Sequence, residues 1–289
     1  MQRRKFLGTS AVASVGLLAT GALHAKEQEI TDTIKLKHNI NHSACYWCYN
    51  SIPLEEFLQR LNELDIKAID LLGPKDWPLL KKYNIHAAMC GGAGKGIEKG
   101  WNDPKLHEEL IADYKRVIPL VAEAGYTNLI CFSGNRRGMD DTVGLQNCAA
   151  GLKQIMPLAE KYGVVIQMEL LNSKVDHKDY MCDHTSWGAA LCDAIGSERF
   201  KLLYDIYHMQ IMEGDIIRNI KEYHTYIGHY HTGGNPGRNE IDETQELYYP
   251  AIMKAILETG YKGHVAQEFI PARVDKIDAL RQGVTICDV

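Results

Sequence analysis

The chain has 289 residues, 45% of them hydrophobic and 24% charged, with 32 Lys and Arg against 37 Asp and Glu. That composition excludes a disordered or fibrous chain, and a net charge of -5 leaves no basic footprint for a nucleic-acid backbone. Eight Cys in this length are too few for a disulfide scaffold, so the fold must rest on a hydrophobic core.

Taken in chain order, the first element is a targeting segment. Arg3-Arg4-Lys5-Phe6-Leu7 precedes an apolar stretch from Ala11 to Leu23 and the run Ala22-Leu23-His24-Ala25, which suits signal peptidase. Residues 1–25 resemble a twin-arginine export signal, with cleavage expected after Ala25 and a periplasmic location for the mature protein. The stretch is shorter than the ~20 residues that span a bilayer, so no permanent membrane anchor is expected. Its removal takes away three cations and no acid, leaving 264 residues with a net charge of -8 and making nucleic acid a still poorer partner. Proteins on this route generally fold before export, often around a cofactor.

From Ile34 onward, short apolar runs alternate with longer amphipathic stretches, as in repeated βα units. The eight runs are Ile34 to Asn41, Ala68 to Gly73, Ile85 to Gly91, Asn128 to Gly134, Val164 to Asn172, Lys201 to Met209, Ile227 to Gly233 and His264 to Ile270. Between them, Pro53 to Leu61 reads as a helix with Ser51 as N-cap, and Leu106 to Ala124 as a long amphipathic helix stopped by Gly125. The same helix-Gly-strand joint recurs at Gly163 and Gly260. Eight units of about 33 residues predict a single (β/α)8 barrel domain over residues 26–289. An open doubly wound sheet is disfavoured, because no Gly-rich phosphate turn follows the first strand.

In such a barrel, chemistry sits at the C-terminal strand ends. Strands five to eight end in Glu169, Asp205, His231 and Glu268, spaced 36, 26 and 37 residues apart, about one βα unit each. Adjacent strands would gather these four at one rim, where three carboxylates repel unless a cation compensates them. A divalent metal does so, and an oxygen-rich set with one imidazole favours Mn, Mg or Co, with Zn also allowed. His229 shares a face with His231, as a core histidine or a supporting partner.

The segment KLLYDIYHMQIMEGD from Lys201, with Glu169-Leu170-Leu171-Asn172, Pro236-Gly237-Arg238 and Glu268, resembles the hydroxypyruvate isomerase branch of the xylose isomerase-like TIM barrels. The resemblance covers Ile34 to Pro271 in architecture and is specific mainly from Val164. It implies metal ligands Glu169, Asp205, His231 and Glu268, with Glu169 and Glu268 also the acid/base pair. Substrate contacts would come from His208 and Arg238, and the reaction would be an isomerisation or epimerisation of a small keto-acid or keto-sugar through an enediol. His at 231, where some hydroxypyruvate isomerases carry Gln, matches the sugar epimerases, and the export signal also points to an extracytoplasmic sugar. Alternatives are a 3-keto-glycoside lyase on the same scaffold, a non-catalytic sugar-binding protein and a metal-dependent nuclease, the last disfavoured by charge. Oligomeric state is open, a homo-oligomer included.

Lesser signals have bland readings. Cys45 and Cys48 form a C-x-x-C outside any thioredoxin context and are read as a disulfide or as pocket lining, while Trp47 could stack on a sugar. Gly91 to Gly96 lacks the spacing of a phosphate loop and is read as a mobile loop over the pocket.

Overall fold

The computed structural model describes residues 35–289, so the export signal expected at residues 1–25 lies outside the described residues. Eight parallel strands close into a barrel in sequence order: β1 (Asn41–Cys45), β2 (Ala68–Leu72), β3 (His86–Cys90), β4 (Asn128–Cys131), β5 (Val165–Leu170), β6 (Phe200–Asp205), β7 (Ile227–Thr232) and β8 (His264–Gln267). The barrel shuts where β1 pairs with β8, Asn41 opposite His264 and Ala44 opposite Gln267.

Helices wrap the outside: α1 (Leu54–Glu63), α2 (Trp77–Lys82), α3 (His107–Glu123), α4 (Asp141–Leu152), α5 (Met156–Tyr162), α6 (Thr185–Ile195), α7 (Ile206–Met212), α8 (Ile216–Tyr223), α9 (Tyr249–Glu258) and α10 (Lys276–Cys287). Their apolar stripes hold them there. In α1, Phe57, Leu58 and Leu61 are buried, at about 1.5–3 kcal/mol each. Gly125, Gly163 and Gly260, just past α3, α5 and α9, all take positive φ, which ends each helix without a Cβ penalty.

Period-two alternation sets what faces inward. Met168, Leu170, Leu202 and Tyr204 pack outward in the large core, whereas Leu203 joins Met89 and Ile130 in a small apolar layer inside the barrel. Glu169, Asp205 and His231 share the inward parity at the C-terminal ends of β5, β6 and β7.

Three expectations need correction. The first strand is not Ile34 to Asn41 but Asn41–Cys45. Leu36 and Ile40 are buried, yet His38 between them takes φ 59°, which breaks an extended run, and the Lys37 amide is tied to Asp288 near the C-terminus. The sixth strand stops at Asp205, whose carboxylate accepts the His208 amide at 3.0 Å and caps α7. Ser51 does not cap α1; Pro53 holds that position, and the Ser51 hydroxyl instead accepts from Lys276 Nζ at 2.9 Å.

The βα loops at the C-terminal rim are locked to one another. Gly100 presses on the end of β4: the amides of Trp101 and Asn102 donate to the carbonyls of Phe132 and Ser133 at 3.2 and 2.8 Å. A Cβ on Gly100 would overlap the backbone of Phe132, Ser133 and Gly134, which cannot move as a side chain could. Gly100→Ala should therefore cost about 1–3 kcal/mol, lowering Tm by several degrees in a thermal melt; an unchanged Tm would show that the two loops separate freely. Arg136, on the loop after β4, bonds Asp183 at 2.9 Å and the Met181 carbonyl at 3.2 Å, fastening the loop after β5.

Candidate active site

Glu169, Asp205, His231 and Glu268 converge at the C-terminal rim, all buried, each offering one ligand atom within 4.8 Å of the others. Glu268 lies one residue past β8, its amide held by the Thr232 carbonyl at 3.2 Å. His231 Nδ1 stands 2.7 Å from Glu268 Oε2 and 3.3 Å from Glu169 Oε1. Three carboxylates and one imidazole form an oxygen-rich donor set that fits Mn, Mg or Co.

The charges in the cluster are strongly coupled. Burial raises Glu169 and pushes Asp205 up to about 8 against the pull of Arg238. Burial would raise Glu268 too, but His231 and Arg238 outweigh it and hold that carboxyl well below the usual range. Burial likewise opposes a charged His231, and Cys45, Glu268 and Asp70 reverse the effect. This many acids in a dry site call for positive charge.

Arg238 supplies some of it. Its Nη2 lies 2.7 Å from Glu268 and 3.3 Å from Asp205, and its guanidinium sits between the rings of Trp47 and Tyr207, at 5.1 and 5.4 Å from their centroids. The loop that carries it turns tightly, with the Arg238 amide bonded to the Gly234 carbonyl and Arg238 itself at φ 58°. Its Nε is buried without a hydrogen-bond partner. Trp47 donates from Nε1 to Glu268 Oε1 at 2.7 Å, so this residue buttresses a carboxylate as well as lining the pocket.

His208 reaches the same rim because the turn after Asp205 is helical, which brings residue i+3 back over residue i. Its Nε2 is 3.6 Å from Asp205 Oδ2. Its Nδ1 is 2.6 Å from Asn172 Nδ2. Asn172 Oδ1 is already taken by the amides of Val175 and Asp176, so the Nδ2 end of the amide is the one that faces the imidazole. Burial, then Arg238, lowers the His208 pKa well below its usual value, and a neutral ring whose Nδ1 accepts must carry its proton on Nε2. That Nε2 is buried without a partner.

Beside the cluster lies a cavity of about 350 Å³, with Leu71, Ile97, Phe132 and Leu171 as an apolar wall and Glu169, Glu268, Arg238 and His177 at its polar end. Ile97 brings the loop after β3 to the pocket, but that loop is pinned where the Gly94 amide donates to Asp113 at 2.8 Å. Cys45 and Cys48 are free buried thiols, and Cys45 Sγ is 3.7 Å from His231 Nε2. Sequence reasoning missed Asn172 and Asp70. The signal for Asp70 was a lone acid in the apolar run AIDLL, and its carboxylate accepts from His229 Nε2 at 2.5 Å.

A closed parallel barrel with an acid-imidazole cluster at the carboxyl ends of its strands defines a TIM barrel with a candidate metal centre. The chain belongs to the xylose isomerase-like TIM barrel family, whose model matches residues 77–286. It is 35% identical over 105 residues to the hydroxypyruvate isomerase of Escherichia coli, covering 35% of this chain and 40% of that protein. Against the 2-oxo-tetronate isomerase of Cupriavidus necator it is 34% identical over 113 residues, 39% of this chain and 43% of the relative. The matched stretches thus span less than half of those relatives' length. Similar solved structures include an AP endonuclease, family 2, from Brucella melitensis (TM-score 0.75, 21% identity, 85% of this chain and 97% of that one). Another is a 3-keto-D-glucoside 4-epimerase from E. coli (TM-score 0.72, 16% identity, 85% and 98%). At these identities the likeness is one of fold.

Proposed function

We propose that the protein is a metal-dependent isomerase or epimerase of the hydroxypyruvate isomerase kind, moving a proton on the carbon beside a carbonyl through an enediol. One observation carries the reading: two buried glutamates, Glu169 at the end of β5 and Glu268 just past β8, flank the His231 and Asp205 ligand positions at the mouth of a cavity. Glu169, Asp205, His231 and Glu268 would hold the divalent cation, Mn, Mg or Co with Zn allowed. When bound, the cation supplies Lewis-acid polarisation of the substrate's carbonyl and hydroxyl oxygens.

The chain's own residues do the rest. One glutamate takes the proton from the carbon while the other returns it on the neighbouring carbon or the opposite face, the arrangement that separates isomerisation from epimerisation. His208 offers its unpartnered Nε2–H to the carbonyl oxygen as negative charge develops there. Arg238, fixed between Trp47 and Tyr207, has its Nε–H left for a substrate carboxylate or hydroxyl. A cavity of about 350 Å³ with an apolar wall has room beyond a three-carbon acid, which supports a keto-sugar or modified sugar. The export signal read at residues 1–25 supports a substrate met outside the cytoplasm.

The test is to incubate the Mn-loaded protein in deuterated water with hydroxypyruvate, ketoses and 3-keto-glycosides. Deuterium on the carbon beside the carbonyl, with no group lost, is the expected result. Release of a free aglycone would replace the reading with the lyase, and binding without exchange on any of them would replace it with a sugar-binding protein.

A further inference from the structure

Asp70 sits inside the barrel below the carboxylate cluster, fully buried, on a strand whose sequence shows no other ionisable group. It is placed there by an irregularity. Between Asp70 and Leu72 the pairing of β2 with β3 shifts register, leaving Leu71 as an extra residue at φ 69°, and a second shift between Ile69 and Asp70 leaves Ala88 extra on β3. In a regular strand Asp70 and Leu71 would face opposite sides. With the bulge both serve the interior: Leu71 packs on the apolar layer of Met89, Ile130 and Leu203 and lines the cavity, while Asp70 reaches the histidines of β7. A left-handed leucine is a costly way to run a strand, and such strain persists where the surroundings require it.

Asp70 Oδ2 is shared by two imidazoles, His229 Nε2 at 2.5 Å and His231 Nε2 at 3.2 Å. The other nitrogen of His231, Nδ1, is the one that faces Glu268 and Glu169. Cys45 Sγ also approaches Nε2, at 3.7 Å, but a thiol is a weak acceptor beside a carboxylate. His229 meets the four ligand positions only through a ring contact, edge to face with His231 at 5.3 Å, and its Nδ1 is buried without a partner, so its hydrogen bond to Asp70 serves to aim that carboxylate.

We propose that Asp70 is a positioning residue for the metal centre: it holds the Nε2–H of His231, fixing the ring's orientation and leaving the Nδ1 lone pair for the cation. The chemistry is that of a carboxylate behind a histidine ligand, which raises the ligand's basicity and removes its rotational freedom. The assignment rests on the metal reading of the site but not on the isomerase reading. Calorimetry with Mn2+ reads binding without turnover, so a protein that binds the ion and exchanges no substrate proton would remove the proposed activity and leave this assignment standing.

Asp70→Asn should weaken Mn2+ binding at least about tenfold, since an amide oxygen in the place of Oδ2 can still accept from both imidazoles but carries no charge to raise the basicity of His231. His229→Asn should lower Tm while changing Mn2+ affinity less than about threefold, because His231 keeps its carboxylate. If Asp70 were only the buried partner of His229, both variants would lose stability and neither would lose affinity, and that result overturns the proposal. A measurement on the unmodified protein stands apart from variant folding. In the Zn2+-loaded form, 15N spectroscopy of the His231 ring should find the proton on Nε2 and the cation on Nδ1. The reverse arrangement, or no Mn2+ binding by the unmodified protein, would also refute it.

Discussion

Replacing Glu268 by Gln is expected to lower turnover at least about a hundredfold, and Glu169→Gln to do the same, measured as deuterium incorporation at the carbon beside the carbonyl. The substitution is chosen because it keeps shape. In Glu268→Gln the side-chain oxygen can still accept from Trp47 Nε1, now 2.7 Å from Oε1, so the indole stays put and the pocket keeps its wall. What is lost is a charged oxygen that can take a proton, ligate the cation and, at Oε2, accept from Arg238 Nη2, so bound metal is measured alongside turnover. Glu169 is held differently: its backbone carbonyl accepts from Tyr180 OH at 2.9 Å, so the end of β5 is anchored independently of the carboxylate. If the two glutamates act as a pair on one substrate, the double variant should be little worse than either single one, because a proton-transfer relay fails when either member fails. Multiplicative losses would mean that they act in separate steps. Full turnover in either single variant would remove that residue from the acid/base role.

The pattern that made this site legible is one of period and spacing. Glu169, Asp205, His231 and Glu268 stand near the ends of successive apolar runs one βα unit apart, and closure of the barrel turns that sequence interval into contact within 4.8 Å. Asp70 was hidden for two reasons. Its partners lie 159 and 161 residues away in sequence, and the register shift at Leu71 that accompanies its inward placement depends on a positive φ that no glycine or asparagine marks. The first strand was misplaced for a related reason: Asn41, His42 and Ser43 are polar, yet His42 and Ser43 are buried, so hydrophobicity pointed to the preceding Leu36 and Ile40 instead. A barrel lined with polar side chains defeats a reading built on apolar runs. His208 shows the opposite case. The sequence step from Asp205 to His208 is three, which as a strand would put the two on opposite faces; only the helical turn capped by Asp205 itself brings them together.

Asp205→Ala and His231→Ala should each lose most of the bound metal by elemental analysis of protein purified with Mn2+, while circular dichroism reports an intact barrel. The two variants remove different things, and the comparison separates ligation from folding. Asp205 is both a ligand position and the N-cap of α7, where its Oδ1 accepts the His208 amide. Losing that cap costs about 1 kcal/mol, well inside a domain's usual margin of about 5–15 kcal/mol. Asp205→Asn retains a cap acceptor but not the charge. If metal is lost equally in Asp205→Ala and Asp205→Asn, the carboxylate is the ligand; if only the alanine variant loses metal, the loss came through a displaced α7. His231→Ala has no cap to disturb, but it takes the imidazole away from Glu268, Glu169 and Asp70 together. Its stability should fall further than that of Asp205→Asn, since buried carboxylates then face one another with Arg238 as their remaining nearby cation. Full metal occupancy in both alanine variants would refute the ligand assignment and leave the cluster as a buried ion-pair network around Arg238.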